Sequence, residues 1–204
     1  MSTRVKICGL TRTSDVAAAI RSGADAVGFV FVPASPRFVE VSAAALLCRS
    51  VPAFVARVGL FMDQNAAAVW SVIESVPLSM LQFHGNESAA YCRQFGRPYI
   101  KAVSKATTES VAAAEQVFTD AAGILADSHV PGGMGGTGKM LDWGHLRPVE
   151  LPLILAGGLN PGNVAAAVRI VRPWAVDVSS GVETAPGIKD AAAMNRFIEE
   201  AKRE

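Results

Sequence analysis

Leu153-Ile154-Leu155-Ala156-Gly157-Gly158-Leu159-Asn160-Pro161 runs through Gly162–Ile170 to Ala175-Val176-Asp177-Val178-Ser179-Ser180-Gly181. This stretch decides the fold. Leu153–Ala156 is apolar at every position, as is usual for a strand covered on both faces. Pro161–Ile170 has helical character with proline at its first position. Ala175–Val178 is a second apolar strand. Strand, helix and strand in so short a span form one βαβ unit, whose two strands run parallel.

The same unit repeats outward. Apolar strands are expected at Arg4–Cys8, Ala26–Phe31, Ala56–Phe61, Met80–Phe83, Tyr99–Val103 and Gly123–Ala126. Helices are expected at Ser14–Ser22 (capped by Ser14 or Thr13), Ser42–Arg49, Gln64–Glu74 (capped by Asp63) and Glu87–Gln94 (capped by Asn86). Further helices are expected at Glu109–Phe118, briefly around Asp142–Leu146, and at Asp190–Lys202. Eight strand–helix units with no linker predict one α/β domain over residues 1–204, a (β/α)8 or TIM barrel. A doubly wound sheet is the alternative. Dividing 204 residues by eight gives about 25 per unit, near the floor for this barrel.

Composition narrows the function. Half the residues are hydrophobic, 18% are charged and the net charge is +1, so no basic surface invites nucleic acid or an anionic membrane. No apolar run reaches the ~20 residues of a membrane span. Cys8, Cys48 and Cys92 form no metal-ligand spacing, and Met1–Gly9 lacks an apolar signal core. The expectation is a cytoplasmic protein with reduced thiols.

A barrel puts its chemistry where strands end. Gly157-Gly158 and Ser179-Ser180-Gly181 follow the seventh and eighth strands, where barrels often bind phosphate on loop amides and a short extra helix. The other reading is a pair of tight turns. Cys8 ends the first strand, as an inert buried thiol or as a base. Asp127 ends the sixth, as a loop-fixing carboxylate or as a general acid whose pKa burial would raise. Arg37, after Pro36, is a solvated loop residue or a fork for a carboxylate. In barrel order the first and sixth strands are separated by the seventh and eighth. Cys8 and Asp127 would thus face each other with the phosphate loops between them. His84 and His129 read as loop residues or as supports for the site.

The glycine-rich stretch Pro131–Lys139 is neither nucleotide motif. It lacks the G-x-G-x-x-G pattern opening a helix. Gly133 to Gly138-Lys139 satisfies the phosphate-loop pattern only until Met140 replaces the required hydroxyl. A lid over the barrel mouth fits better.

Taken together these residues resemble the phosphoribosylanthranilate isomerase family. The resemblance is carried by Lys6-Ile7-Cys8-Gly9-Leu10-Thr11, Ser35-Pro36-Arg37-Phe38-Val39, Val58-Gly59-Leu60-Phe61 and Leu81-Gln82-Phe83-His84-Gly85-Asn86-Glu87. It continues in Asp127-Ser128, Gly135-Gly136-Thr137-Gly138-Lys139, Leu155–Leu159 and Asp177-Val178-Ser179-Ser180-Gly181-Val182-Glu183. It implies a cofactor-free, metal-free Amadori rearrangement of N-(5-phosphoribosyl)anthranilate to 1-(2-carboxyphenylamino)-1-deoxyribulose 5-phosphate, a step of tryptophan biosynthesis. On that resemblance Cys8 is the general base, Asp127 the general acid and Arg37 the holder of the anthranilate carboxylate. Gly157, Gly158, Ser180 and Gly181 hold the phosphate, and Gly136 belongs to the lid. Two alternatives keep the barrel: a related phosphosugar enzyme such as an indole-glycerol-phosphate synthase, or a phosphate-binding module without turnover. The first would want a lysine at the end of the first or second strand; the second is disfavoured by the Cys8–Asp127 pair.

Overall fold

A computed structural model describes residues 2–128, 143, 146 and 149–203. Eight parallel strands close into a barrel in chain order, β1-β2-β3-β4-β5-β6-β7-β8. They are β1 Arg4–Cys8, β2 Ala26–Val30, β3 Ala56–Phe61, β4 Met80–Phe83, β5 Tyr99–Ser104, β6 Gly123–Asp127, β7 Leu153–Leu155 and β8 Ala175–Val178. Pairing of β1 with β8, Lys6 opposite Asp177, closes the ring. The doubly wound alternative is thereby excluded.

The period of two along each strand divides the interior into two cores. Val5, Ile7, Leu81, Phe83, Val176 and Val178 point outward into a large apolar layer shared with the helices. A much smaller cluster, Ile100, Ala102, Leu125, Ile154, Ala156 and Ala175, fills part of the barrel itself. Lys6, Gln82 and Asp177 are buried polar residues on the intervening positions of β1, β4 and β8, so this lumen carries charge as well as hydrocarbon.

The helices are α1 Thr13–Arg21, α2 Val41–Arg49, α3 Ala66–Ser75, α4 Ala89–Arg93, α5 Thr108–Val117, α6 Val164–Val171 and α7 Ala191–Lys202. Their starts correct four expectations. Neither Ser14 nor Thr13 caps α1; Arg12 precedes it without a side-chain cap and instead forks onto Asp15 in the first turn. Asn65, not Asp63, caps α3 through Ala68 N–H. Asp63 sits at φ 52° and accepts from Asn86 N–H, so it joins two loops. That leaves Ser88 to cap α4 in place of Asn86. Pro161 does not open α6. Asn160 and Asn163 tie residues 160–163 into a turn, and the helix begins at Val164.

A hairpin, β9 Glu183–Ala185 with β10 Ile188–Lys189, follows β8 and was not expected from the sequence. Among the described residues no helix is long and apolar enough to cross a membrane. The glycine-rich stretch with Gly136, His129 and nearly all of the expected helix around 142–146 lie outside the described residues.

Candidate active site

Cys8 ends β1 with its side chain buried over Gly28 of β2. A Cβ on Gly28 would stand 2.8 Å from Cys8 Sγ and 3.1 Å from Lys6 Cε, so only glycine admits both side chains here. Burial pushes the Cys8 thiol up from its ordinary value, against the lowering effect of the Lys6 ammonium. Burial also works against the charge on Lys6, but the Asp177 carboxylate 3.0 Å away outweighs it and holds Lys6 above the usual lysine range. Cys8 is thus a thiol at neutral pH beside a permanent cation. Cys48 and Cys92 are also free and buried, and both lie in helices.

Asp127 ends β6, buried, with Oδ2 3.3 Å from His84 Nε2. His84 Nδ1 lies 3.3 Å from Nε2 of Gln82, which is wholly buried on β4. The loop carrying His84 is anchored from behind. Glu87 accepts from Asp63 N–H at 2.9 Å and Gly85 N–H at 2.9 Å, and Lys101 of β5 reaches Glu87 at 2.9 Å and the Gly85 carbonyl. A buried ion pair whose partners also hydrogen-bond to backbone holds its loop tightly.

Arg37 is buried rather than solvated. Its Nε and Nη2 donate to the two carboxylate oxygens of Glu183 at 2.8 and 2.7 Å. Lys189 reaches the same carboxylate at 2.7 Å. Burial resists ionisation of Glu183, yet the hydrogen bonds from Arg37 and Lys189 prevail and hold its carboxyl below the usual range. Glu183 therefore fixes the guanidinium plane and leaves the Nη1–Nη2 edge for another carboxylate.

Gly157 and Gly158 follow β7 with φ of 81° and 70°, which side chains rarely adopt. Asn163 donates to the Gly158 carbonyl at 3.0 Å and steadies the loop. Ser180–Val182 forms a short 3-10 helix after β8. A Cβ on Gly181 would collide with the Leu159 carbonyl oxygen, so the two loops are in backbone contact.

One cavity of about 320 Å³ at the strand ends is lined by Cys8, Arg37, Asp127, Gly157, Gly158, Ser180 and Gly181. The structure thus brings together every candidate that falls within the described residues. It adds Gln82, His84 and Asp177 to the same wall. Sequence reasoning assigned no role to Lys6, Gln82, Lys101 or Glu183. For three of them the signal was present: Lys6, Gln82 and Lys101 are polar or charged residues inside apolar strands, where burial demands a partner.

A family model described as N-(5'phosphoribosyl)anthranilate (PRA) isomerase matches residues 5–200 of the chain. A relative from Thiobacillus denitrificans named N-(5'-phosphoribosyl)anthranilate isomerase is 57% identical over 205 residues, 99% of this chain and 99% of the relative. The solved phosphoribosyl anthranilate isomerase of Thermotoga maritima superposes with a TM-score of 0.88 at 39% identity, covering 99% of this chain and 100% of that one. A further solved isomerase, in complex with reduced 1-(o-carboxyphenylamino)-1-deoxyribulose 5-phosphate, gives a TM-score of 0.84 at 37% identity with the same coverage.

Proposed function

From the premise that this chain belongs to the N-(5'-phosphoribosyl)anthranilate isomerase family, isomerases of tryptophan biosynthesis, we propose that Cys8 and Asp127 carry the rearrangement as base and acid. One observation supports this most directly. The two side chains line one cavity from strands β1 and β6, and the glycine and serine loops of the intervening β7 and β8 line it between them.

The substrate's phosphate rests against the amides around Gly157, Gly158, Ser180 and Gly181. Its anthranilate carboxylate meets the free edge of Arg37. Asp127 protonates the furanose ring oxygen, and the C1–O bond breaks to give a protonated imine. That cation acidifies the neighbouring C2–H and so serves as its own electron sink; no metal or cofactor enters the scheme. Cys8, as thiolate, takes the C2 proton, and the electron pair moves through C1–C2 onto nitrogen. The enolamine then loses its hydroxyl proton and gains one at C1. Atoms balance as an isomerisation. The thiolate is disfavoured by burial but favoured by Lys6 and by the imine cation beside it. Residues 1–204 act as one catalytic domain, which we place in the cytoplasm.

The test is a fluorescence assay of anthranilate-substrate loss. Cys8→Ala and Asp127→Asn should each lower kcat at least ~100-fold with unchanged melting. Arg37→Ala should chiefly raise KM. Near-wild-type turnover in either of the first two removes that residue from its role.

A further inference from the structure

Gln82 Oε1 is buried and, among the described residues, has no hydrogen-bond partner. The residue lines the cavity. An unpaired buried acceptor is costly and marks a place where a donor is missing. Its other end is engaged. Nε2 is a donor only, so His84 Nδ1, 3.3 Å away, must be the acceptor. The ring proton then lies on Nε2, which points at Asp127 Oδ2, 3.3 Å away. Each contact dictates the polarity of the next.

We propose that Gln82 is a substrate-binding residue whose Oε1 accepts a hydroxyl of the sugar, and that His84 is a positioning residue that holds Asp127 through Oδ2. β4 stands across the barrel from β8. With the phosphate on the β7 and β8 loops and the carboxylate on Arg37, the sugar carbons cross the middle of the mouth and turn a hydroxyl toward Gln82. His84 transfers no proton. It fixes the orientation of the acid and stabilises the carboxylate left once the proton has gone. The inference rests on the proposed role of Asp127.

Two measurements test it. The chain has 3 histidines, so nitrogen NMR of histidine-labelled protein resolves His84, assigned by the signal lost in His84→Gln. At neutral pH the wild type should show the Nε2–H tautomer, and Gln82→Met should give a mixture. An Nδ1–H tautomer or an imidazolium in the wild type overturns the relay. In kinetics, His84→Ala should lower kcat roughly tenfold to a hundredfold with KM nearly constant, the worth of one hydrogen bond to a charged group. His84→Gln, which replaces the Nε2–H donor, should recover most of the loss; equal losses in both overturn the positioning role. Gln82→Glu keeps an acceptor toward the sugar but removes the donor toward His84, so KM should hold while kcat falls. Gln82→Met should raise KM several-fold and weaken the reduced product analogue; unchanged values for both overturn the hydroxyl contact. Normal turnover in Asp127→Asn would instead strike the acid assignment and leave the tautomer measurement standing.

Discussion

Burial makes Cys8 a weaker acid than an exposed thiol, and the reaction needs its conjugate base. The thiolate fraction therefore grows as pH rises. The rate of iodoacetamide labelling at Cys8 should climb through and beyond the ordinary thiol value of 9.0, whereas kcat/KM, which also needs the proton on Asp127, should not follow it upward but pass over a bell. A plateau already reached below about pH 8, under the free-thiol value, would show that Lys6 overcomes burial. Glu183 obeys the opposite sign. Its carboxyl is depressed in the folded state, so the stability it contributes is full above the unfolded value of about 4.3 and is lost as pH falls through the folded one. Glu183→Gln leaves Arg37 and Lys189 buried without a counter-charge. Urea titration should show a loss of about 3 kcal/mol at pH 7 and a weaker acid dependence than the wild type. At this scale the sequence was only half legible. Cys8, Arg37 and Asp127 stand at strand ends, where the barrel places its chemistry. Lys6 and Gln82 sit inside strands, and only the cross-strand register, Lys6 opposite Asp177, shows that their side chains reach the same lumen.

Strands β1 and β2 meet at Cys8 opposite Gly28. A methyl on Gly28 would press on Cys8 Sγ at 2.8 Å and cannot relax toward the backbone, where Cys8 Cα waits at 3.1 Å. Gly28→Ala should keep the barrel by circular dichroism yet cost at least ~10-fold in kcat, because displacement of a reacting group by an ångström is that expensive. Wild-type turnover would show that the strand pair yields instead. The elements themselves were readable from apolar runs and their breakers; their first residues were not. Asn86 and Ser88 are both fair caps; Asn86 is tied by its backbone N–H and side-chain amide to Asp63 in the preceding strand–helix loop, and Ser88 Oγ caps α4 instead. Pro161 suited a helix start until Asn160 and Asn163 built a turn around it. Tertiary hydrogen bonds, invisible in local pattern, decided both.

The whole chain carries a net charge of +1 and binds a substrate with a phosphate and a carboxylate. Recognition then resides in the cavity and not in long-range attraction. Raising salt from about 20 to 200 mM should change kcat/KM by less than ~3-fold, since only steering fields are screened at that range. A steep decline would reveal a local positive field that net charge conceals. Eight units of minimal length predicted little decoration beyond the glycine-rich stretch. The β9–β10 hairpin is a second extension, and Glu183 and Lys189 lie in it, facing Arg37 from the far end of the chain.

That hairpin sets an order of events during synthesis. Arg37 emerges early, but the groups that fix its plane, Glu183 and Lys189, are translated about 150 residues later, at the unhurried pace of ~5–20 residues per second. Residues 175–178 must also arrive before β8 can join β1. A nascent chain stalled short of Lys189 holds both proton carriers yet has no finished pocket, so enzymatic competence should switch on only with the final portion of the polypeptide.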